Sequence, residues 1–243
     1  MLIRRQLAKL ISMNRSKGDY SSFNRVLNNF RDKYSGGRCF IVGTGPSINK
    51  TDLSLLDDEI CFGVNTLYNI KSDCRYWVLC DIDVWKKKKD EVHQFVKSDY
   101  VFLAESIAVN LIRGGGGLWS RDILIRPLGS INVWDKVSGD ITLGSFSGGT
   151  VVVHALQIAF FMGFKEVYLL GCDCDYSGVH HYDGSSTGDI GKAQGKMVKG
   201  DSSYVFNAYK KCREFFEKDN RCIYNATVGG KLEVFERRRL EAL

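Results

Sequence analysis

Short apolar runs, each ending at a glycine or a polar residue, recur along this sequence and alternate with segments of helical periodicity. Such runs are typical of strands that are buried on both faces of a parallel sheet. Repeated strand–loop–helix units predict an α/β fold: a single Rossmann-like domain with a mostly parallel sheet, right-handed crossovers and helices on both faces. The predicted strands span residues 38–42, 60–64, 76–80, 100–103, 123–125, 166–170 and 221–224.

Amphipathic helices are predicted before the first apolar run. Apolar residues recur at near-helical spacing in residues 2–13 and 20–34, with basic residues between them. We therefore divide the chain into N-terminal amphipathic helices at residues 1–35 and a Rossmann-like nucleotide-binding domain at residues 36–243. The N-terminal helices either pack on the domain or lie on a membrane surface, and we expect packing. Further helices are predicted at residues 52–56, 90–96, 150–162 and 205–217.

Composition favours an ordinary globular protein of the cytoplasm. Apolar residues make up 44% of the 243 residues, and no apolar run reaches the length of a membrane-spanning helix. Early charges at Arg4 and Arg5 interrupt the apolar segment that a signal peptide needs. The net charge of +6 is concentrated at both ends, which fits either a solvated surface or peripheral contact with the inner membrane. Basic and aromatic residues are not interleaved, so nucleic acid is not an expected partner.

Eight cysteines are scattered along the chain, and several lie inside the apolar runs. In a cytoplasmic protein such residues are usually small buried hydrophobes, so we expect free thiols rather than a disulfide framework. Two histidines follow Cys172 and Cys174 in the sequence, and cysteine and histidine are side chains that bind zinc. Their spacing, however, fits no common zinc module.

Polar residues and glycines mark the carboxyl ends of the predicted strands. Ligands of open parallel sheets bind at this edge, so we predict a nucleotide site there, with Asn65, Asp81 and Asp173 among its binding residues. The alternative is that strand-to-helix loops are polar in any protein. The strand-end residues are Gly43, Asn65, Asp81, Gly171 with Asp173, and Asn225.

Two glycine turns are the strongest phosphate-binding candidates. Glycine lets the backbone approach a ligand closely, and N–H groups at the start of a helix attract anions. The first turn lacks the third glycine of a dinucleotide fingerprint and the Gly-Lys-Ser/Thr of a Walker loop. A plain tight turn, and a helix cap at Thr150, are the alternatives. The predicted binding residues are Gly43, Thr44, Gly45, Pro46 and Ser47 in the first turn, and Gly148, Gly149 and Thr150 in the second.

Two further groups are candidates for chemistry. Asp81 and Asp83 follow a strand, and paired carboxylates there can hold Mg²⁺ on a diphosphate. The polar loop after the strand at 166–170 carries His180, His181 and Tyr182. A histidine in this loop can act as a general base, and a tyrosine can hydrogen-bond a leaving phosphate. These three residues are the predicted catalytic residues, and a surface loop without function is the alternative.

The sequence resembles the MptE-like (6-hydroxymethylpterin diphosphokinase-like) family over roughly residues 36–240. Members of that family are also found among surface-polysaccharide proteins and motility-associated flagellar glycosyltransferases. The resemblance implies a nucleotide-dependent transferase. It depends on the order and spacing of the motifs at residues 43–47, 148–151, 167–173 and 224–235.

A more distant similarity is to bacterial sialyltransferases that use CMP-sialic acid. Those enzymes share the glycine turn and an Asn after the second strand, here Asn65, and these groups hold the cytidine nucleotide. Their His-Tyr-x-Gly-His loop supplies a tyrosine for the leaving phosphate and a histidine base. His181-Tyr182-Asp183-Gly184 matches this loop, but Ser185 stands at the position of the base. Such enzymes need no metal, which would make Asp81 and Asp83 sugar- or ribose-binding residues.

These observations lead to three hypotheses. The first is a glycosyltransferase of bacterial surface-polysaccharide or lipopolysaccharide biosynthesis, with a nucleotide sugar (CMP-sugar favoured) as donor and a glycan or glycolipid as acceptor. The second is a Mg²⁺-dependent diphosphokinase that transfers pyrophosphate from ATP to a pterin alcohol. The third is a non-catalytic nucleotide-binding or scaffold protein of glycan assembly. Each is compatible with a homo-oligomer.

Overall fold

The structure is a computed structural model that describes residues 21–113, 120–128, 133–177, 181–184 and 203–243. The predicted helix at 2–13, and the residues His180 and Ser185, lie outside these ranges. The helices are α1 (Ser21–Asn28), α2 (Ile82–Phe95), α3 (Glu105–Arg113), α4 (Val151–Phe161) and α5 (Ser203–Glu217). The strands are β1 (Arg38–Val42), β2 (Cys61–Val64), β3 (Tyr76–Leu79), β4 (Tyr100–Ala104), β5 (Asp122–Ile125), β6 (Glu166–Leu170), β7 (Cys222–Asn225) and β8 (Glu236–Arg237).

The described strands form one sheet in the order β5-β4-β3-β2-β1-β6-β7-β8. Neighbouring strands pair in parallel throughout this sheet. The chain builds outward from β1 to β5 and then returns through α4 to β6, on the other side of β1. The strand order therefore reverses between β1 and β6, and a crevice at such a switch point is the usual ligand site of this architecture. The predicted Rossmann-like α/β fold is confirmed.

Two apolar clusters cover the two faces of the sheet. Side chains alternate between faces along a strand, so Cys39 and Ile41 of β1 belong to one cluster, whereas Phe40 and Val42 belong to the other. The first cluster includes α4, nine of whose eleven residues are buried, and the inner stripe of α5. The second cluster is covered by α2, α3 and the short helices after β1.

The end of the N-terminal extension packs on the domain, as expected. α1 ends at Asn28 instead of continuing to residue 34, and Leu27 and Phe30 are 2% and 3% exposed in the first cluster. Burying two such side chains stabilises the fold by roughly 1.5–3 kcal/mol each. Leu27 and Phe30 of the predicted apolar stripe are therefore packing residues, whereas Val26 is exposed.

The long connection between β5 and α4 is held by polar side chains of α4. Gln157 is fully buried, and its Oε1 accepts from the N–H groups of Ser138 (2.9 Å) and Phe146 (3.0 Å). Its Nε2 donates to the carbonyl of Phe146 at 2.8 Å. His154 Nδ1 lies 2.7 Å from Ser145 Oγ. These bonds satisfy buried backbone groups of a segment that has little regular structure.

Three elements differ from the prediction. The helix predicted at 90–96 is too short, because α2 begins at Ile82. Its first two turns contain four successive lysines, Lys86–Lys89, whose charge hides the helical periodicity. α3 and β8 were not predicted. The glycines at 114–117, which follow α3 directly, were interpreted as a flexible connection, and the two residues of β8 are both charged. None of the helices in the described ranges has the length and apolar character that crossing a bilayer requires.

Candidate functional site

The candidate site begins where β1 and β6 end, at the switch point of the sheet. β1 and β6 pair along their whole length, up to Val42 and Leu170. The pairing continues into the loops, because the N–H of Gly43 donates to Leu170 O (2.7 Å) and the N–H of Gly45 donates to Gly171 O (2.8 Å). The two loops thus leave the sheet side by side as one unit.

The Asp173 carboxylate fills the first glycine turn. Ser47 Oγ donates to Asp173 Oδ2 at 2.7 Å, and the N–H of Ser47 donates to Asp173 Oδ1 at 3.2 Å. A Cβ atom at Gly45 would lie 1.9 Å from Asp173 Oδ2, and one at Gly43 would lie 2.6 Å from Gly171 O. Gly45 has an ordinary extended conformation (φ −68°), so glycine is needed there for the close approach and not for its backbone angles.

This contact refines the predicted phosphate cradle. The N–H groups of Gly45 and Ser47 already donate to protein oxygens, and the second of these oxygens carries a negative charge. A phosphate at the turn would compete with Asp173 for the N–H of Ser47. In this conformation the turn therefore presents an anchored carboxylate to the crevice, and a carboxylate accepts hydrogen bonds from hydroxyl groups of a ligand.

The C-terminal segment after β7 holds the Asp173 loop from its other side. The hydroxyl of Thr227 accepts from the N–H of Cys172 at 3.1 Å, and the N–H of Lys231 donates to Asp173 O at 2.7 Å. A Cβ atom at Gly230 (φ +72°) would lie 2.7 Å from the same oxygen. The glycines and lysine of this segment, which entered the sequence analysis as part of a resemblance, thus position Asp173.

Asn225, the last residue of β7, supports this segment from within. It is 1% exposed. Its Nδ2 donates to Leu232 O at 2.6 Å, and its Oδ1 accepts from the N–H of Thr227 at 3.0 Å. Of the predicted strand-end residues, Asn225 therefore serves the framework of the site.

Asn65 lies at the end of β2 in a left-handed backbone conformation (φ +44°). Its N–H donates to Val78 O at 3.1 Å, and its carbonyl accepts from Trp77 Nε1 at 3.1 Å. Its side-chain Oδ1 is buried and has no hydrogen-bond partner among the described residues. A left-handed non-glycine residue with an unsatisfied amide oxygen is costly, and such features occur at binding sites.

The segment 181–184 is anchored over the first glycine turn. Thr44 Oγ1 lies 3.0 Å from His181 Nδ1, and the N–H of Tyr182 donates to Thr44 O at 2.8 Å. Asn49 Nδ2 donates to Tyr182 O at 2.9 Å. Of the three predicted catalytic residues, His181 and Tyr182 are thus brought to the turn, and His180 lies outside the described residues.

The Tyr182 hydroxyl is itself an anchor. It donates to Thr66 O at 2.7 Å and accepts from Asn69 Nδ2 at 3.0 Å. These bonds tie the segment to the loop after β2, next to Asn65. Thr66, Asn69 and Asn49 were not predicted as site residues, because nothing in their local sequence shows that a residue more than 110 positions away will bond to them.

Asp81 caps α2. Its Oδ1 accepts from the N–H groups of Asp83 (2.8 Å) and Val84 (3.1 Å), which is the usual arrangement at a helix N-terminus. Asp83 is exposed, with Lys86 Nζ 4.0 Å from its carboxylate. Within the described ranges no three His, Cys, Asp or Glu side chains are grouped so that they could hold a metal ion. The Mg²⁺ site at Asp81 and Asp83 stays a prediction, and the geometry accounts for Asp81 as a cap.

The second glycine turn opens α4. Gly148 and Gly149 have positive φ angles of 54° and 76°, and a Cβ atom at Gly149 would lie 2.2 Å from the ring of Tyr204. Thr150 caps α4 by accepting from the N–H of Val152 at 3.4 Å. Thr150 therefore acts as a helix cap, which was the alternative to phosphate binding.

Buried polar groups connect this turn to the Asp173 loop. Tyr209 interacts with Thr150, and Tyr209 and Tyr176 both interact with the thiol of Cys174. Burial raises the pKa of that thiol to about 11, and it raises the pKa of both tyrosines. All three groups are therefore neutral at physiological pH. These buried side chains link the second turn to the Asp173 loop, which is compatible with one ligand that contacts both.

Comparison with known proteins supports the fold. No family model matches the sequence, and no curated protein matches it. The MAf glycosyltransferase from Magnetospirillum magneticum AMB-1 has a similar fold, with a TM-score of 0.58 at 16% sequence identity. The similarity covers 88% of this chain and 35% of that enzyme, so the chain spans about a third of its length.

A second solved structure is more distant. The sialyltransferase CstII from Campylobacter jejuni, in complex with the substrate analogue CMP-3FNeuAc, has a TM-score of 0.41 at 12% identity. The match covers 78% of this chain and 79% of that one. This similarity is too low to support an argument about the site. Membership of the MptE-like family stays a prediction, because no family model matches.

Proposed function

We propose that this protein is a glycosyltransferase that binds a nucleotide-activated sugar at the switch point between β1 and β6. The observation that carries the proposal is the convergence of Asp173 and the segment 181–184 on the first glycine turn. Tyr182 ties this segment to Thr66, the residue that follows Asn65. The fold shared with the MAf glycosyltransferase supports the choice of reaction class. A CMP-sugar is the favoured donor, by the resemblance of the turn and Asn65 to CMP-sialic-acid-dependent enzymes.

Asp173 and Asn65 provide complementary hydrogen-bonding groups for the donor. The Asp173 carboxylate accepts from ligand hydroxyls, and the two bonds from Ser47 fix its orientation. The buried Oδ1 of Asn65 accepts an N–H or O–H of the ligand and thereby gains a partner that the described residues do not offer. Ligand binding thus removes the cost of an unsatisfied buried oxygen.

His181 is the proposed general base. In the tautomer that donates from Nδ1 to Thr44, the lone pair on Nε2 accepts the proton of the acceptor hydroxyl. The acceptor oxygen then bonds to the anomeric carbon of the donor sugar. The bond from that carbon to the phosphate oxygen breaks, and its electron pair leaves with the nucleotide. The Tyr182 hydroxyl is bonded to Thr66 and Asn69. The proposed role of Tyr182 is therefore to hold the neighbouring His181 against the turn.

The acceptor is proposed to be a glycan or glycolipid of surface-polysaccharide assembly in the cytoplasm, reached at the membrane face through the basic ends of the chain. A scaffold protein of the same assembly would bind the nucleotide but leave the donor intact. A diphosphokinase would bind ATP more tightly in the presence of Mg²⁺.

The test is calorimetric titration of the full chain with CMP, UDP, GDP and ATP, each with and without Mg²⁺, followed by an assay of CMP-sugar hydrolysis. We expect CMP to bind without Mg²⁺ and the CMP-sugar to be hydrolysed slowly. Binding of none of the four nucleotides would overturn the proposal. ATP binding that requires Mg²⁺ would favour the diphosphokinase, and binding without hydrolysis would favour the scaffold.

A matched pair of variants tests the assignment to the switch point. Asp173→Asn keeps the shape of the side chain but removes its charge, and we expect nucleotide affinity to fall at least about tenfold, or 1.4 kcal/mol. Asp175→Asn is the control in the same loop. Asp175 accepts from the Ser177 hydroxyl (2.6 Å) and from Lys231 Nζ (2.9 Å), and these two groups lower its pKa to about 2. Equal losses of nucleotide affinity in both variants would show that binding depends on the loop in general and not on the carboxylate of Asp173.

A further inference from the structure

A second cleft lies at the opposite edge of the sheet, beside the starts of β2 and β3. It has a volume of about 360 Å³. Cys61, the first residue of β2, lines it together with Lys71 and acidic side chains from both flanking loops. None of these residues takes part in the proposed nucleotide site, which lies at the other ends of the same strands. The acidic residues of the lining are Asp57, Asp58, Glu59 and Asp73.

Two thiols meet at the wall of this cleft. The thiols of Cys61 and Cys74 are close enough to interact with each other. Cys74 is fully buried, whereas Cys61 is 3% exposed and borders the cleft. Cys61 Sγ also lies 3.7 Å from Glu59 O. A small molecule that enters the cleft therefore meets Cys61, and the thiol that interacts with Cys61, Cys74, is buried behind the lining.

The ammonium group of Lys71 stands beside the two thiols. Lys71 is 8% exposed, and its Nζ lies 3.0 Å from Asp57 Oδ1 and 3.2 Å from Asp73 Oδ1. Burial opposes its charge, but the two carboxylates outweigh burial and raise the pKa of Lys71. It therefore stays protonated. A positive charge and a thiol donor next to a sulfur both stabilise the thiolate form.

Cys61 differs in this respect from the other cysteines. The interaction with Cys74 and the charge of Lys71 lower the pKa of Cys61, against burial and the charge of Asp73. For most of the others, burial raises the pKa of the thiol. These are Cys39, Cys80, Cys172, Cys174 and Cys212. A thiol of lowered pKa next to a second thiol is the arrangement of peroxide-reactive cysteines.

We propose that Cys61 and Cys74 form a dithiol site that reacts with small peroxides entering the cleft. The Cys61 thiolate attacks one peroxide oxygen, the O–O bond breaks, and the second oxygen leaves as water after taking up a proton. The Cys61 sulfenic acid is then attacked by Cys74, which forms the disulfide and releases a second water. Two thiols are oxidised and one hydrogen peroxide is reduced to two waters.

The disulfide would close a loop that carries Asn65, Thr66 and Asn69. These residues lie between Cys61 and Cys74 in sequence, and the last two hold the Tyr182 hydroxyl. Oxidation at the cleft would therefore constrain a segment that contributes to the opposite edge of the sheet. The chemistry of the dithiol does not depend on what the nucleotide site binds.

The test is treatment of the reduced full chain with hydrogen peroxide, alkylation of the remaining thiols, and mass spectrometry of the tryptic peptides. Trypsin cuts after Lys50, Lys71 and Arg75, which places Cys61 in peptide 51–71 and Cys74 in peptide 72–75. We expect these two peptides to be recovered as a disulfide-linked pair that lacks two hydrogens. Cys39→Ser, a buried cysteine of the adjacent strand β1, is the matched control and should leave the pair intact.

A second variant separates the two chemical steps. In Cys74→Ala the reaction should stop at the sulfenic acid, so that dimedone labels peptide 51–71, and Cys61→Ser should lose both the label and the cross-link. Oxidation of the exposed Cys222 without a link between peptides 51–71 and 72–75 in the wild-type chain would overturn the proposal. Because this outcome is measured on the wild-type chain, it does not depend on whether a variant folds. A link from Cys61 to Cys39 would overturn the pairing.

Discussion

His154 gives the stability of this fold a defined dependence on pH. The side chain lies within α4, is 7% exposed, and has its Nδ1 2.7 Å from Ser145 Oγ. Burial lowers its pKa from 6.5 to about 4. As the pH falls through 6.5, the unfolded chain takes up a proton on this imidazole, whereas the folded chain does so only near pH 4. The stability is therefore fully present above pH 6.5 and is lost as the pH falls towards 4.

The magnitude follows from the two pKa values. Linkage between protonation and folding predicts that His154 lowers the free energy of unfolding by about 2 kcal/mol between pH 7 and pH 5. Below pH 4 the loss levels off at roughly 3 kcal/mol, since each unit of pKa difference corresponds to about 1.4 kcal/mol. Carboxylates also titrate in this range, so the absolute stability of the wild type does not isolate the effect.

The assay is urea denaturation of the wild type and of His154→Asn at pH 7 and pH 5. Asparagine keeps a polar atom near the position of Nδ1 for Ser145 but does not titrate. We expect the variant to be less stable than the wild type at pH 7, because it packs less well. Between pH 7 and pH 5 the difference in unfolding free energy between the two proteins should shift in favour of the variant by about 2 kcal/mol. A shift of less than about 0.5 kcal/mol, the usual limit of additivity, would refute the reasoning.

Three further predictions concern the framework of the site. Gly45→Ala should cost about 3 kcal/mol of unfolding free energy, since the added methyl displaces Asp173. Gly36→Ala (φ +80°, with open space around it) should cost only about 1–2 kcal/mol, so equal losses by urea denaturation would contradict the steric argument. Tyr182→Phe should cost about 1–2 kcal/mol and weaken nucleotide binding measured by calorimetry, whereas unchanged affinity would remove Tyr182 from the site. Thr227→Val leaves the N–H of Cys172 without its acceptor and should lower the unfolding free energy by about 1–3 kcal/mol. Thr227→Ser keeps a hydroxyl and should retain most of the wild-type stability. A serine variant as unstable as the valine variant would argue against the hydrogen bond.

Much of the sheet was predictable because its strands are marked locally. The strands at residues 38–42 and 166–170 match the prediction residue for residue. In each, four apolar residues follow one charged residue, as expected of a strand that is buried on both faces after its first residue. α2 was predicted too short, because the lysines at 86–89 are solvated and carry no periodic signal. The two-residue strand β8 was missed because both of its residues are charged, and α3 was missed although the glycines at 114–117 follow it directly.

The location of the candidate residues at one edge of the sheet was predictable, but their contacts were not. Strand-end reasoning selected Asn65 and Asp173, and both lie at the predicted edge. The glycine turn predicts that Gly45 lets a phosphate approach, whereas the residue that approaches it in the structure is Asp173, 128 positions later. The Tyr182 hydroxyl was predicted to bond a leaving phosphate, whereas in this structure it bonds to Thr66 and Asn69.

The amino-acid sequence by itself determined which segments are buried and where each strand ends, because apolar runs and glycine turns are local and periodic. It therefore determined the parallel α/β architecture and the edge at which polar groups collect. Only the tertiary structure decided that Asp173 occupies the first glycine turn and that Lys71 stands beside Cys61. The pairing of two particular polar groups depends on the relative placement of whole strands and loops, and local periodicity carries no record of a partner brought close by the fold.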